Sequence, residues 1–223
     1  MKLFSDTIAG RIEEIRATLP QGVTLIAVSK YHPAEAIEAA YKGGQRHFGE
    51  SKAQDLQKKH QILPDDICWH FIGHLQSNKI KYIAPYIHLI HSVDSYKLLA
   101  EIDRHAAKAE RTIPCLLQIH IAQEETKFGF TPQECLAMLD EGAWRTLGNV
   151  EIRGLMCMAS NTDDEAQIRA EFAQVKKLFD TIRERYFAQG NFDTLSAGMS
   201  DDYPIAIEEG STHIRVGSSI FAP

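Results

Sequence analysis

The chain is 223 residues long, 44% hydrophobic, 24% charged and 9% aromatic, with a net charge of −6 and no basic tail or stripe. That balance excludes a disordered chain and allows one sizeable core. It argues against duplex binding, which needs dense lysine and arginine opposite the phosphates, and no stretch reaches the ~18 uninterrupted apolar residues of a membrane span.

Residues 3–19 read as an opening helix, with Leu3, Ile8, Ile12, Ile15 and Leu19 near helical spacing. Thr24 to Val28 follows, too short and β-branched for a helix and apolar on both faces, as a buried parallel strand is. Pro33 to Tyr41 is a helix rich in Ala and Glu, stopped by Gly43-Gly44. Strand-like runs recur at about 46–49, 68–72, 87–92, 113–121, 150–157, 192–197 and 213–217. Helical patterns lie between them at about 51–62, 77–84, 95–110, 132–145, 164–187 and 203–209. Thr131-Pro132-Gln133-Glu134 marks one helix start with a capping box and a proline at the first helical position.

Strands alternating with helices make an α/β chain with a parallel sheet. Eight such units of about 28 residues each approach the minimum for a (β/α)8 barrel. An open doubly wound sheet is the rival, but it usually carries a glycine-rich turn after its first strand. Here that turn reads Ser29-Lys30-Tyr31-His32-Pro33. The sequence therefore predicts one (β/α)8 TIM-type barrel spanning residues 1–223, with an extra N-terminal helix.

Such barrels keep their chemistry at the C-terminal ends of the strands. Those ends carry Ser29-Lys30, Gly49-Glu50-Ser51, Gly73-His74, Ser92-Val93-Asp94, Lys127-Phe128-Gly129 and Met156-Cys157-Met158. The last two strands add Ser196 to Ser200 and Arg215 to Ser219. Lys30 directly follows a strand expected to be buried. Passage through low-dielectric surroundings disfavours an ammonium and makes a lysine amine nucleophilic toward aldehydes. The plainer alternative is a lysine that snorkels to solvent at the barrel mouth.

Gly198-Met199-Ser200 leads into a short helix, and Gly217-Ser218-Ser219 follows strand 8. Barrels often bind phosphate in these two loops, where glycines let the backbone approach and N–H and hydroxyl groups donate. Ordinary turn chemistry, with Asp201 and Asp202 complementing the helix dipole, explains the same residues. Combined with Lys30, the loops describe an aldehyde-reactive lysine facing a phosphate cup. Pyridoxal 5′-phosphate and phosphosugars both carry an aldehyde and a phosphate. Arg215, on one strand face with His213 and Gly217, would hold the phosphate, a pyridine nitrogen, or a core carboxylate such as Glu50.

Other features carry less. His70 and His74, and His88 and His91, straddle strands; without His-x-His on strand 1 or H-E-x-x-H, the sequence assigns no metal. His70 reads as a hydrogen-bonded core residue beside Trp69. No serine sits in a G-x-S-x-G elbow, so a hydrolase triad has no support. Met156-Cys157-Met158 reads as packing. The charged stretch 164–187 (Glu165, Arg169, Glu171, Lys176, Lys177, Arg183, Glu184, Arg185) reads as a solvated outer face. Cys68, Cys115, Cys135 and Cys157 form no C-x-x-C pair, and the first six residues lack the apolar core of a signal peptide. Both point to reduced thiols in a cytoplasmic protein.

At these residues the chain resembles the pyridoxal phosphate homeostasis protein family, whose barrel is similar to the N-terminal domain of alanine racemase. The matching stretches are Leu25-Ile26-Ala27-Val28-Ser29-Lys30, Phe48-Gly49-Glu50, Trp69-His70-Phe71-Ile72-Gly73 with Leu75-Gln76-Ser77-Asn78-Lys79, and His91-Ser92-Val93-Asp94. Gly154-Leu155-Met156, Leu195-Ser196, Gly198-Met199-Ser200-Asp201-Asp202, Gly210-Ser211-Thr212 and Ile214-Arg215-Val216-Gly217 continue in the family's order. The resemblance implies that Lys30 forms a Schiff base with pyridoxal 5′-phosphate. It implies that Ser200, Gly217 and Ser218 hold the phosphate, that Arg215 lies beside the ring, and that Ser51 and Met199 complete the lining. Ser51 stands where the family usually has Asn, His74 replaces a frequent Pro, and Phe221-Ala222-Pro223 replaces a short basic and aromatic tail.

A racemase needs two acid/base groups on opposite faces of its substrate. In alanine racemase the second is a tyrosine from a separate C-terminal domain, which is expected to be absent here. Tyr31, Tyr203 and His74 are the nearby candidates by position, and each reads as structural. The resemblance implies a non-catalytic carrier that buffers the cofactor or delivers it to pyridoxal phosphate-dependent apoenzymes. It is expected to be a monomer without nucleic-acid or membrane partners. A racemase, a Schiff-base aldolase of phosphosugars and a scaffold are the alternatives.

Overall fold

Eight parallel strands close on themselves in chain order. They are β1 (Thr24–Val28), β2 (His47–Glu50), β3 (Cys68–Phe71), β4 (Leu89–Val93), β5 (Ile113–Ile119), β6 (Val150–Cys157), β7 (Thr194–Ser196) and β8 (His213–Val216). The structure, a computed structural model, describes residues 5–122 and 128–222. Lys127, placed at the fifth strand's rim by the sequence, lies outside them.

Helices α1 (Ile8–Thr18), α2 (Ala34–Lys42), α3 (Ala53–His60), α4 (Tyr96–Lys108), α5 (Pro132–Glu141), α6 (Glu165–Tyr186), α7 (Tyr203–Glu208) and α8 (Ser218–Phe221) accompany the strands. The predicted (β/α)8 barrel with an added N-terminal helix is therefore the fold observed. Thr7 caps α1 by accepting the Gly10 N–H at 3.1 Å, and Arg16 ties the helix to Gly44 O and Gln45 Oε1 at 3.0 and 2.6 Å.

Three helices differ from expectation. The segment after β3 is a 3₁₀ helix, Ser77–Tyr82, rather than an α-helix. The stretch 132–145 breaks at Gly142, whose φ of 74° ends α5 in the left-handed conformation that glycine adopts without strain. The four-residue α8 was not anticipated. The capping box does open α5: Thr131 Oγ1 accepts the Glu134 N–H at 3.2 Å, and Glu134 Oε2 accepts the Thr131 N–H at 2.8 Å.

Register and side-chain alternation sort each strand into two faces. Leu25 and Ala27 join Ile37, Ala40, Phe48 and Trp69 in the apolar layer between strands and helices. Burying such a side chain contributes roughly 1.5–3 kcal/mol. The alternate residues line the lumen, where Ile26 pairs with Arg215, Gly49 with His70, and His70 with Leu89. Leu89, Leu116 and Met156 cluster there, with Met158 above them, and Ile26 and Val28 add apolar surface. Among these sit the buried polar groups His70, His91, Ser196 and Arg215.

Helix α6 corrects one expectation. Glu171 is buried rather than solvated, accepting from Ser160 N and Oγ at 2.7 Å each, so it clamps the loop after β6. All four cysteines are free thiols. Burial pushes Cys135 and Cys157 up to about 12, which keeps them protonated and unreactive. No helix among the described residues is long and apolar enough to cross a membrane.

Candidate functional site

The site assembles around the C-terminal mouth of the barrel. β1 stays buried through Ser29, and Lys30 is the first exposed residue after it. The expectation of a lysine stem wrapped by protein is thereby corrected: the strand ends at Val28 and burial at Ser29, which leaves Lys30 in solvent. Tyr31 turns the chain at once with φ 70°, a left-handed conformation that non-glycine residues rarely adopt. Its ring is 78% exposed and lies 5.9 Å from Lys30 Nζ and 5.5 Å from Lys52 Nζ. Val28 pairs with Gly49 on one side, and Ala27 with Val216 on the other. Continuing that register sets Lys30 beside Ser51, while Gly217 stands against Val28, two residues earlier.

Arg215 lies below this rim, only 4% exposed. Its two terminal nitrogens donate to Ser196 Oγ at 2.7 Å and to the Cys157 carbonyl at 2.8 Å. Among the described residues it has no ion pair. Burial pulls its pKa down from the usual guanidinium range, and the field of Cys157 and Asp202 offsets that desolvation only in part. The Glu50 alternative is overturned: Glu50 accepts from Lys59 Nζ and Ser29 Oγ at 2.6 Å each. It follows the lumen-facing Gly49 and so projects to the opposite side of β2, away from Arg215.

The loops after β7 and β8 are tied together. Arg215 N–H donates to Gly198 O at 3.0 Å, and Gly217 N–H donates to Ser200 Oγ at 3.3 Å. Gly198 has φ 93°, and a Cβ there would stand 2.7 Å from Ala206 Cβ and 2.8 Å from Tyr203 Cα. Only glycine lets α7 seat this closely. Asp202 accepts the Met199 N–H at 2.5 Å, and burial raises its carboxyl above the usual range. Ser218, exposed, begins α8 directly after Gly217.

The structure thus gathers Ser200, Gly217 and Ser218 on one side of the mouth above Arg215. Met199 and Ser51 flank it. Met199 is 40% exposed and lines a 560 Å³ cavity with Met158, Asp201 and Asp202. Ser51 lines a separate 170 Å³ cavity with Lys52, His74 and Gln76. Its backbone presses on Gly73, where a Cβ would come within 2.3 Å of Ser51 O. His74 stacks on Phe128 at 4.0 Å and meets Asp94 at 3.3 Å.

Sequence reasoning missed the residues that hold Arg215. Ser196 was noted as a strand end and the Cys157 backbone as packing. The available signal was register, because Ser196 pairs with both Met156 and His213 and so shares the lumen face with Arg215.

A family model described as "Alanine racemase, N-terminal domain" matches residues 5–223. A pyridoxal phosphate homeostasis protein of Helicobacter pylori (strain J99) is 39% identical over 220 residues, covering 97% of this chain and 96% of its own. The chain belongs to the pyridoxal phosphate homeostasis protein family. PipY of Synechococcus elongatus PCC7942, 40% identical, is similar in structure both without and with PLP bound, at TM-scores of 0.91 and 0.89. Each of those comparisons covers 97% of this chain and 100% of the PipY chain.

Proposed function

We propose that this protein holds pyridoxal 5′-phosphate at the barrel mouth through Lys30 and serves cofactor homeostasis without catalysing a reaction of its own. The observation that carries this reading is Arg215: a buried guanidinium with no carboxylate partner, beneath a rim bearing a free amine and donor-rich turns. A guanidinium held just below the rim suits the nitrogen of a pyridine ring, a group that a phosphosugar lacks. Membership of the family, and a relative solved with PLP bound, support the same assignment.

When bound, the cofactor supplies an aldehyde carbon that a lysine amine joins with loss of water, together with an electron-withdrawing ring. The remaining chemistry belongs to the chain. Ser200, Gly217 and Ser218 would hold the phosphate through hydroxyl and N–H donors. Arg215, pinned at two oxygens, would face the ring nitrogen and disfavour a proton there. That weakens the ring as an electron sink, which suits storage better than turnover. Ser51 and Met199 would border the ring.

Catalysis of racemisation needs a second proton carrier opposite Lys30. Tyr203 is buried at the start of α7, and Tyr31 is turned out among two ammonium groups. His74, the third candidate, is stacked on Phe128 and held by Asp94 at 3.3 Å, and none of the three is placed for that role. An exposed Lys30 instead lets an incoming amine reach the cofactor and carry it away, so apoenzymes are the recipients, and the protein works as a cytoplasmic monomer. The test incubates PLP-loaded protein with L-alanine in D₂O, and separately with a PLP-dependent apoenzyme. No α-deuteration with reactivation of the apoenzyme is expected. Deuteration proportional to protein and lost in Lys30→Ala would replace the carrier with a racemase.

A further inference from the structure

The opposite mouth of the barrel carries a second cluster that the family comparison does not explain. His47 begins β2, His70 lies in mid-β3, and His88 directly precedes β4. Adjacent parallel strands bring these three imidazoles together, and one nitrogen from each lies within 4.8 Å of the others. Their ring centres are 5.2 Å (His47–His70), 5.2 Å (His70–His88) and 5.6 Å (His47–His88) apart, with the planes inclined at 49°, 60° and 75°. The rings form a three-bladed propeller rather than a stack. Metal–nitrogen bonds of about 2.0–2.1 Å at tetrahedral angles place such ring centres about 5 Å apart.

We propose that His47, His70 and His88 form a binding site for one late first-row divalent metal ion, of the zinc class, at the N-terminal mouth of the barrel. His70 is fully buried, His47 half-buried and His88 exposed, so the ligands run from the lumen to solvent. A cavity of 330 Å³ lined by His88, His213, Arg153 and Asp193 opens on the same side and supplies an entry path. Three imidazole donors suit zinc, nickel and copper, and offer no oxygen for magnesium or calcium.

Two details of the bonding strengthen the assignment. His47 Nδ1 and His70 Nε2 are 2.9 Å apart, sharing one hydrogen. A metal taking both nitrogens need part them only to about 3.4 Å. His70 Nδ1 lies 2.8 Å from His91 Nε2, and His91 Nδ1 lies 2.9 Å from Ser196 Oγ. Histidine ligands are commonly oriented through the other ring nitrogen, usually by a carboxylate, carbonyl or water, and here His91 takes that place. The two arginines nearest His88 have terminal donors engaged by other groups. Arg153 is engaged by both Asp193 oxygens at 3.0 Å, and Arg111 is spent on the Ala84 and Ile87 carbonyls at 2.8 and 2.9 Å.

The test titrates untagged, chelator-stripped full-length protein with Zn²⁺ by calorimetry, and with Co²⁺ by visible absorption. One equivalent should bind, with the intense d–d bands of tetrahedral Co²⁺. His88→Asn changes an exposed side chain and should leave the fold and PLP loading intact. It should weaken Zn²⁺ binding by about 100-fold or more, since loss even of a partner to a ligand costs about 10–100-fold. His47→Asn should do the same, and Lys30→Ala should leave metal binding unchanged. Absence of saturable 1:1 binding, or binding undiminished in both histidine variants, would overturn the site. PLP loading, measured in parallel, keeps that outcome separate from any failure of the cofactor site.

Discussion

Three cationic side chains divide the labour of this barrel by where their charge is satisfied. Lys59 and Glu50 form a buried ion pair at 2.6 Å, with side-chain exposures of 13% and 2%. Arg215 is buried on neutral oxygens, and Lys30 is left in water. The energetic consequences differ accordingly. Lys59→Met strands the Glu50 carboxylate and should cost about 3–5 kcal/mol of unfolding free energy in urea titrations. Lys30→Ala should change stability by less than about 0.5 kcal/mol, because no packed contact is lost. Equal costs for the two substitutions would contradict this division. Under the proposed function, a lysine that contributes little to stability is what a binding residue held outside the core looks like.

At the scale of elements, the β7–α7 junction is the most tightly determined part of the site. Gly198 combines a positive φ with van der Waals contact to α7, so Gly198→Ala should destabilise by about 1–3 kcal/mol. It should also reduce PLP retention, since the Met199–Ser200 turn moves with it. Thr131→Ala, which removes the α5 capping box far from the mouth, should cost about 1 kcal/mol and leave PLP retention unchanged. Thermal melts and equilibrium dialysis of the two variants check both halves of that contrast. The capping box was legible because its four residues are contiguous. The break at Gly142 was not, because the 132–145 stretch keeps its apolar spacing across a residue whose left-handed backbone appears only in three dimensions.

Across the whole molecule, the lumen is a column of polar groups linked from His47 through His70, His91 and Ser196 to Arg215. Desolvation, then repulsion from neighbouring histidines or Arg215, holds His70 and His91 well below the ordinary histidine range, and His213 falls to about 4. Groups depressed in the folded state take up protons on unfolding. Their stabilisation is therefore complete above the unfolded value near 6.5 and is lost as pH falls toward the folded values. The two fully buried histidines alone should remove about 3 kcal/mol between pH 7.5 and 5.5 in metal-free protein. Urea midpoints at the two pH values measure it, and a flat profile would contradict it.

The column also explains what could and could not be read beforehand. The barrel was legible because Leu25, Ala27 and their counterparts repeat an apolar strand signature eight times, and the rim because it is where barrel strands end. The partners of Arg215 and the histidine triad were not. Each is built from residues 18 to 58 positions apart in sequence, and they meet only after register closes the barrel.

The most direct measurement is reduction with borohydride. The purified protein is loaded with PLP, its absorbance is recorded before and after reduction, and the peptides are mapped by mass. The account predicts a visible band that disappears on reduction and a single phosphopyridoxyl adduct on Lys30. A colourless protein, or an adduct scattered over Lys52, Lys59 and other lysines with Lys30 unmodified, would contradict it.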